Sequence, residues 1–370
     1  MKELPEQKIL LLADVNSPHT QKWALELKLA GFAIGIFSLS YPTSDWFLQS
    51  GIIVFAPKSA NGKIVFSKDI LKIKYLASLW RLKKAIRKFK PDIIHAHYAT
   101  SYGMLGGLTR FHPFFISVWG SDIIDFPNRS YFHKWILRKN LRKADKIFCT
   151  SEFLQKEVLR ISEKVSVVIP FGVDINIFSP MKVRSLFNKN DIVIGAIKSL
   201  EKHYGIEQLI KVFAALYQKE YGSNLRLLIG GKGSQEAILK QLVDDLKLSH
   251  VVVFTGSLSY KDVPTYHNMI DIFVNLSTYE SFGVSVLEAS SCGKPVIATD
   301  TGGLREVVIN NKTGFLVLLN DKHAIISAFE KLIFDSHLRK EMGDAGRQFV
   351  FEKFNWPMCL EKMSAEYKNV

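Results

Sequence analysis

The sequence predicts an α/β protein made of two doubly wound, Rossmann-like domains in tandem. Three observations predict it. The chain has 370 residues, more than one hydrophobic core usually serves. Short apolar runs alternate with helix-period segments in both halves, the pattern of parallel sheets covered on both faces. Near the middle, the segment VIPFGVDINIFSP at 168–180 loses both periods and reads as an interdomain connection.

The elements follow in order. KILLLAD is a buried-type strand, Pro18 suits the first turn of the next helix and Gly31 its end, and AIGIFSL is the second strand. Residues 69–90 carry a helical period that Pro91 stops, after which DIIHAHY, FFISVWG and KIFCTS repeat the strand pattern between helices. The second series has strands IVIGAIK, LRLLIGG, VVVFTG, DIFVNLS and PVIATD, with helices near 205–220, 234–247, 262–269 and 283–292. The last 25 residues read as helix, break at Pro357, helix. The expected division is 1–175, 176–345 and a C-terminal helical segment 346–370 that could pack back on the first domain.

Composition narrows the function. With 47% hydrophobic and 23% charged residues the chain is neither disordered nor fibrous. The net charge of +14 lies mainly in the first half: residues 1–175 hold 26 Lys+Arg against 14 Asp+Glu, and 176–370 hold 23 against 21. Such an excess suits an anionic partner, and the absence of any RRM or zinc-finger pattern argues against nucleic acid. Cys149, Cys292 and Cys359 are widely spaced and fit buried free thiols. The start lacks the apolar core of a secretory signal, and no run reaches the 18 or so apolar residues of a membrane span. A cytoplasmic protein is expected, peripheral on the inner face of the membrane if its basic half docks there.

Ligands of open parallel sheets bind beyond the carboxyl ends of the strands, so the chemistry belongs in the loops after strands. The richest segment is YESFGVSVLEASSCGKPVIATDTGGLREVV, 279–308. Glu280 precedes a helix whose first amides come from Phe282, Gly283 and Val284, and unpaired N–H groups there stabilise phosphate or sugar oxygens. Glu288 stands near the middle of that helix, and a carboxylate can accept hydrogen bonds from both hydroxyls of a vicinal diol. In the first half, NSPHTQKW offers Asn16 and His19 at a strand-to-helix loop, for a ligand or as caps. His95 and His97 alternate onto one strand face, where at least one reads as a packed core histidine.

ESFGVSVLE followed by GKPVIAT and TGG resembles the EX7E region of the family 4 retaining glycosyltransferases. PDIIHAHY, KADKIFCTSE, IPFGVDINIFSP, LLIGGKG and VVFTGSLSYKDVP match in the same order, so the resemblance spans almost the whole chain. It implies the GT-B fold, two Rossmann-like domains about a central cleft. It also implies that a nucleotide-sugar donor, UDP- or GDP-linked, passes a hexose-type sugar to a glycan or lipid-linked acceptor in envelope polysaccharide synthesis. Glu280 would approach the donor sugar and Glu288 hold the ribose. The family's diphosphate-clamping Arg and Lys correspond to Lys198 and Lys202 in IKSLEKHYG, with His203 an alternative to Lys202. Lysine keeps the charge and loses the bidentate fork. Many members carry a His where this chain has Trp119, so that role would be absent here or pass to Asp122 or His19.

No D-x-D triplet occurs, and lysines with helix amides supply the compensating charge, so no metal and no cofactor are expected. A nucleotide-sugar epimerase on the same fold is the nearest rival. A nicotinamide-dependent dehydrogenase fails because the first loop, ADVNSPHT, has no glycine. An anionic membrane surface is the further partner expected, through the helix KIKYLASLWRLKKAIRKFKP. Leu71, Tyr75, Leu79, Leu82, Ile86 and Phe89 form its core stripe, and Ile73, Leu76 and Trp80 stand among Lys83, Lys84 and Arg87 on the other side.

Overall fold

The computed structural model describes residues 6–58 and 71–370, with side chains in the second stretch from residue 77 onward. The chain forms two compact units, one of residues 1–170 with 359–370 and one of 171–358. The strands are β1 (Lys8–Leu12), β2 (Ala33–Phe37), β3 (Ile53–Phe55), β4 (Ile93–His97), β5 (Phe114–Val118), β6 (Lys146–Cys149), β7 (Val167–Val168), β8 (Ile192–Ile197), β9 (Leu225–Gly230), β10 (Val252–Gly256), β11 (Ile272–Asn275), β12 (Val296–Thr299) and β13 (Gly314–Val317). The helices are α1 (Pro18–Leu29), α2 (Leu71–Phe89), α3 (Ser101–Thr109), α4 (Ser121–Ile124), α5 (Tyr131–Lys143), α6 (Glu152–Ser162), α7 (Ile206–Tyr217), α8 (Glu236–Asp245), α9 (Val263–Met269), α10 (Val284–Ser291), α11 (Leu304–Val307), α12 (Lys322–Phe334), α13 (Ser336–Lys353) and α14 (Trp356–Lys368).

The first unit is a parallel sheet of order β3-β2-β1-β4-β5-β6-β7. Ile9 to Leu12 are fully buried, because helices cover both faces of β1 and every side chain, up or down, meets protein. On one face Leu10, Leu12, Ile94, Ile116 and Ile147 join Leu82 and Phe89 of α2, Leu105 of α3, Leu137 and Leu141 of α5 and Val158 of α6 in one core. On the other, the end of α14 docks. Tyr367 is fully buried, its ring stacks parallel to Phe115 at 6.1 Å, and its hydroxyl meets His95 Nδ1 at 2.5 Å.

The second unit is a parallel sheet of order β10-β9-β8-β11-β12-β13. One core packs Ile194, Leu227, Val274 and Ile297 against α7, α8 and α12, including Phe213 and Phe329 at no exposure.

Three sequence expectations shift. The division falls after Pro170 rather than after 175, because Val173 already pairs with Asn355 within the second unit. Residues 346–358 also belong to that unit and only 359–370 to the first. Pro357 does not break a helix. It occupies the second position of α14, where its missing N–H has no helical acceptor to lose, and the break lies at Phe354 and Asn355, between α13 and α14. In α2, Leu82 and Phe89 are buried, Leu79 and Ile86 pack on the same core, and Trp80, Lys83, Lys84 and Arg87 are exposed. The side chains of Leu71, Ile73, Tyr75 and Leu76 lie outside the described residues.

Candidate functional site

In the second sheet the strand order reverses between β8 and β11, and a crevice opens at the carboxyl ends of two such strands. Lys198 follows β8 directly. Its ammonium donates to Asn275 Oδ1 at 3.0 Å, Ser277 Oγ at 2.9 Å and Glu280 Oε2 at 2.9 Å, which uses all three of its protons. The Tyr204 ring lies below it, 4.1 Å from Nζ to the centroid. Burial pushes the Lys198 pKa below lysine's ordinary value, and the Glu280 carboxylate acts in the opposite sense. The two side chains are 7% and 14% exposed, so the pair is shielded on most sides and open on one.

Two glycine turns fix this pair from behind. Gly231 has φ 129°, and a Cβ there would stand 2.0 Å from the carbonyl oxygen of Lys198. Gly302 has φ 49°, a Cβ there would stand 2.1 Å from the Glu280 carbonyl oxygen, and Gly303 N–H donates to that same oxygen at 2.9 Å. The LLIGGKG and TGG segments thus bring their backbones against the two charged residues.

α10 begins just beyond Glu280. Its N-cap, Gly283, has φ 111°, while the Phe282 side chain is buried and packs on Phe354. The amides of Gly283 and Val284 head the helix. Glu288, inside α10, stands apart from the Lys198–Glu280 pair in its contacts. Its carboxylate is 3.6 Å from Nε2 of His267, a wholly buried ring on α9. Neither His267 nitrogen has a hydrogen-bond partner among the described residues.

Lys202 sits exposed on a 3-10 turn, Lys202–Tyr204, and lines an open cavity of about 600 Å³ with His203, Gln208 and Lys322. It enters no ion pair among the described residues. His203 is committed differently: its ring stacks on Tyr279 at 4.8 Å and its carbonyl accepts from Thr278 N–H at 2.8 Å.

In the first unit, the Asp122 carboxylate is committed to backbone amides. It is 1% exposed, and its two oxygens accept from the amides of Ala99, Trp119 and Gly120 at 2.8, 3.2 and 3.0 Å. It ties the loops after β4 and β5 together, and burial raises its pKa. Asn16 is likewise occupied, accepting from the amide and hydroxyl of Thr43 and donating to the Tyr41 carbonyl; the helix N-cap is Ser17. His19 remains exposed, edge-on to Trp119 at 5.8 Å. His97 also packs on Trp119, at 4.7 Å, and burial, then repulsion from His19, lowers its pKa to about 3. His95 is a core histidine held by Tyr367 and Ser117.

The residues that sequence reading missed are Asn275, Ser277 and Tyr204, which hold Lys198, and His267 beside Glu288. Asn275 ends the apolar strand β11 and Ser277 lies just past it, which was the available signal. Among the described residues no group of three or more His, Cys, Asp or Glu could hold a metal ion. Cys149, Cys292 and Cys359 are free and buried, and burial pushes their thiols up to about 12, 12 and 11.

Residues 8–151 match the family described as Glycosyl transferase 4-like, and residues 179–349 match Glycosyl transferases group 1. An uncharacterized glycosyltransferase of Methanocaldococcus jannaschii is 28% identical over 303 residues, 80% of this chain and 81% of that protein. The capsular polysaccharide biosynthesis glycosyltransferase CapM of Staphylococcus aureus is 29% identical over 323 residues, 82% of this chain and 83% of that one. Sucrose-phosphate synthase from Thermosynechococcus elongatus shares the fold with a TM-score of 0.86 at 21% identity, over 98% of this chain and 99% of its own. With both halves matched in order and the GT-B architecture in common, the chain belongs to the family 4 glycosyltransferases and is itself a glycosyltransferase.

Proposed function

We propose that the protein is a retaining hexosyltransferase that draws on a UDP- or GDP-linked sugar and acts on a glycan or lipid-linked acceptor at an anionic membrane surface. The observation that carries the donor half of this reading is the Lys198–Glu280 pair at the β8–β11 reversal. A departing nucleoside diphosphate gathers negative charge, and fixed positive groups stabilise it more in the transition state than in the ground state. Lys198, held in place by Asn275 and Ser277, and the exposed Lys202 supply that charge together with the amides at Gly283 and Val284. Glu280 stands at the donor sugar, where its carboxylate offsets the positive charge that develops on the ring. The sugar–phosphate bond breaks, the acceptor oxygen attacks from the same face, and the leaving phosphate takes the acceptor's proton. No side chain is then needed as general base. Glu288 binds the ribose hydroxyls. No metal and no cofactor take part. The capsular relative supports a surface-polysaccharide acceptor.

Thermal shift over UDP-, GDP- and ADP-sugars identifies the donor, since a native-state ligand raises stability. With that donor, Glu280→Gln lowers kcat by about 100-fold or more with KM little changed, whereas Glu288→Ala chiefly raises the donor's KM. Lys202→Ala weakens nucleoside diphosphate more than nucleoside in calorimetry. Turnover persists in EDTA, and NMR of the product shows the donor's anomeric configuration. Near-wild-type kinetics in both glutamate variants, or an inverted product, would refute the assignment.

A further inference from the structure

We propose that the outer face of α5, together with that of α2, is the surface by which the first unit docks on an anionic lipid bilayer. This inference rests on the reading that the protein works at a membrane, and it names the surface. α2, α3 and α5 cover the same face of the first sheet, with α3 packed against both of the others. Their inward residues are buried, so the opposite sides of α2 and α5 face outward.

On α5 that side exposes aromatic rings to a degree that a soluble surface does not need. Tyr131 is 95% exposed, Phe132 64% and Trp135 51%. Phe132 and Trp135 stack at 5.9 Å, and Lys139 sits 4.0 Å over the Trp135 ring. α2 repeats the arrangement: Trp80 is 61% exposed with Lys84 5.5 Å over its ring. In both helices the order is Trp, then Lys four residues on, then Arg three further: Trp80, Lys84, Arg87 and Trp135, Lys139, Arg142. That spacing puts the three on one face of each helix.

Charge selects lipid over a second protein copy. None of α2, α3 and α5 contains a single Asp or Glu. Glu163 neutralises Arg138 and Arg142, yet Lys134, Lys139 and Lys143 on α5, and Lys83, Lys84, Arg87 and Lys88 on α2, enter no ion pair among the described residues. Two copies of this face would set cations against cations. Indole and phenol rings at headgroup depth, ringed by lysines that reach anionic phosphates, suit a bilayer surface. No helix among the described residues is long and apolar enough to cross a membrane, so contact through this face would be peripheral.

The test is co-sedimentation of the full chain with phosphatidylcholine vesicles, with and without phosphatidylglycerol. Binding is expected only with the anionic lipid and should fall as salt rises. Replacing Lys134, Lys139 and Lys143 with Gln should lower partitioning by about 100-fold, at roughly fivefold per basic residue. Phe132→Ser with Trp135→Ser should lower it by about 10-fold or more and leave thermal stability unchanged, because both rings are exposed. Unchanged binding in both variants, equal binding to neutral vesicles, or a dimer in sedimentation velocity that the Phe132 and Trp135 changes dissolve would overturn the docking face. Donor binding by calorimetry separates the two readings. Vesicle binding without nucleotide-sugar binding would sink the proposed function and leave this surface standing, and the reverse result would remove the surface alone.

Discussion

His97 shows how a polar residue is kept in an apolar interior. It is 4% exposed, its Nδ1 has no partner among the described residues, and burial holds its pKa near 3 against an ordinary value of 6.5. His95, 5.0 Å away ring to ring, is lowered in the same direction by burial and then by His97. Both stay neutral in the fold, while the unfolded chain takes up protons below about 6.5. The unfolded state therefore binds more protons between about pH 6.5 and 3, and stability falls as pH drops through that window. Each ring contributes up to about 1.4 kcal/mol per pH unit. His97→Leu should flatten the dependence by up to that slope in urea titrations run across the window, and an unaltered slope would mean that the ring is protonated in the fold. Sequence placed both histidines on one strand face and left open which was core. It could not show Tyr367 as the partner of His95, 272 residues away. The same holds for Lys198, whose three acceptors lie 77, 79 and 82 residues on. Residue type and strand-end position were legible; convergence of distant strand ends was not.

At the scale of elements, the strands read correctly from sequence are mostly interior ones, such as β1, β4, β8 and β11, whose neighbours on both sides demand continuous apolar runs. β3, β7 and β13 escaped notice, and each is an edge strand. β3 and β7 are three and two residues long, too short for a period of two to show. The LLIGGKG and TGG segments stood out in sequence only as family-like motifs; in the structure their glycines pack against the backbones of Lys198 and Glu280. Gly302→Ala therefore makes a sharp test of positioning. A Cβ placed 2.1 Å from the Glu280 carbonyl oxygen cannot be accommodated without moving that backbone, and the strain is on the order of 1–3 kcal/mol. The variant should fold, melt several degrees lower, and lose more in kcat than in donor affinity, since in the proposed function donor binding also draws on Lys202 and Glu288. Equal loss in both, or full activity, would show that the TGG turn does not position Glu280.

At the scale of the whole molecule the first unit is discontinuous: residues 359–370 complete a fold begun at the other end of the chain. The sequence pattern revealed a final helix and could not say which core receives it. The destination is set by Tyr367, wedged between Phe32 and Phe115 beside His95, and reinforced by the Gln7 amide donating to the Tyr367 carbonyl and by Lys146 paired with Glu366 at 2.8 Å. Tyr367→Ala empties a site for a large ring in a close-packed core, a change that costs about 3–5 kcal/mol. Tyr367→Phe keeps the packing and strands His95 Nδ1, at a cost of about 1–3 kcal/mol. Pulse proteolysis across a urea series can read each unit through its own fragments. The unit of residues 1–170 should shift to lower urea in the order wild type, Tyr367→Phe, Tyr367→Ala, while the fragment from 171–358 keeps its midpoint. Equal shifts in both fragments would mean that the units unfold as one, and no shift in the first would mean that the C-terminal helix adds nothing to the core it enters.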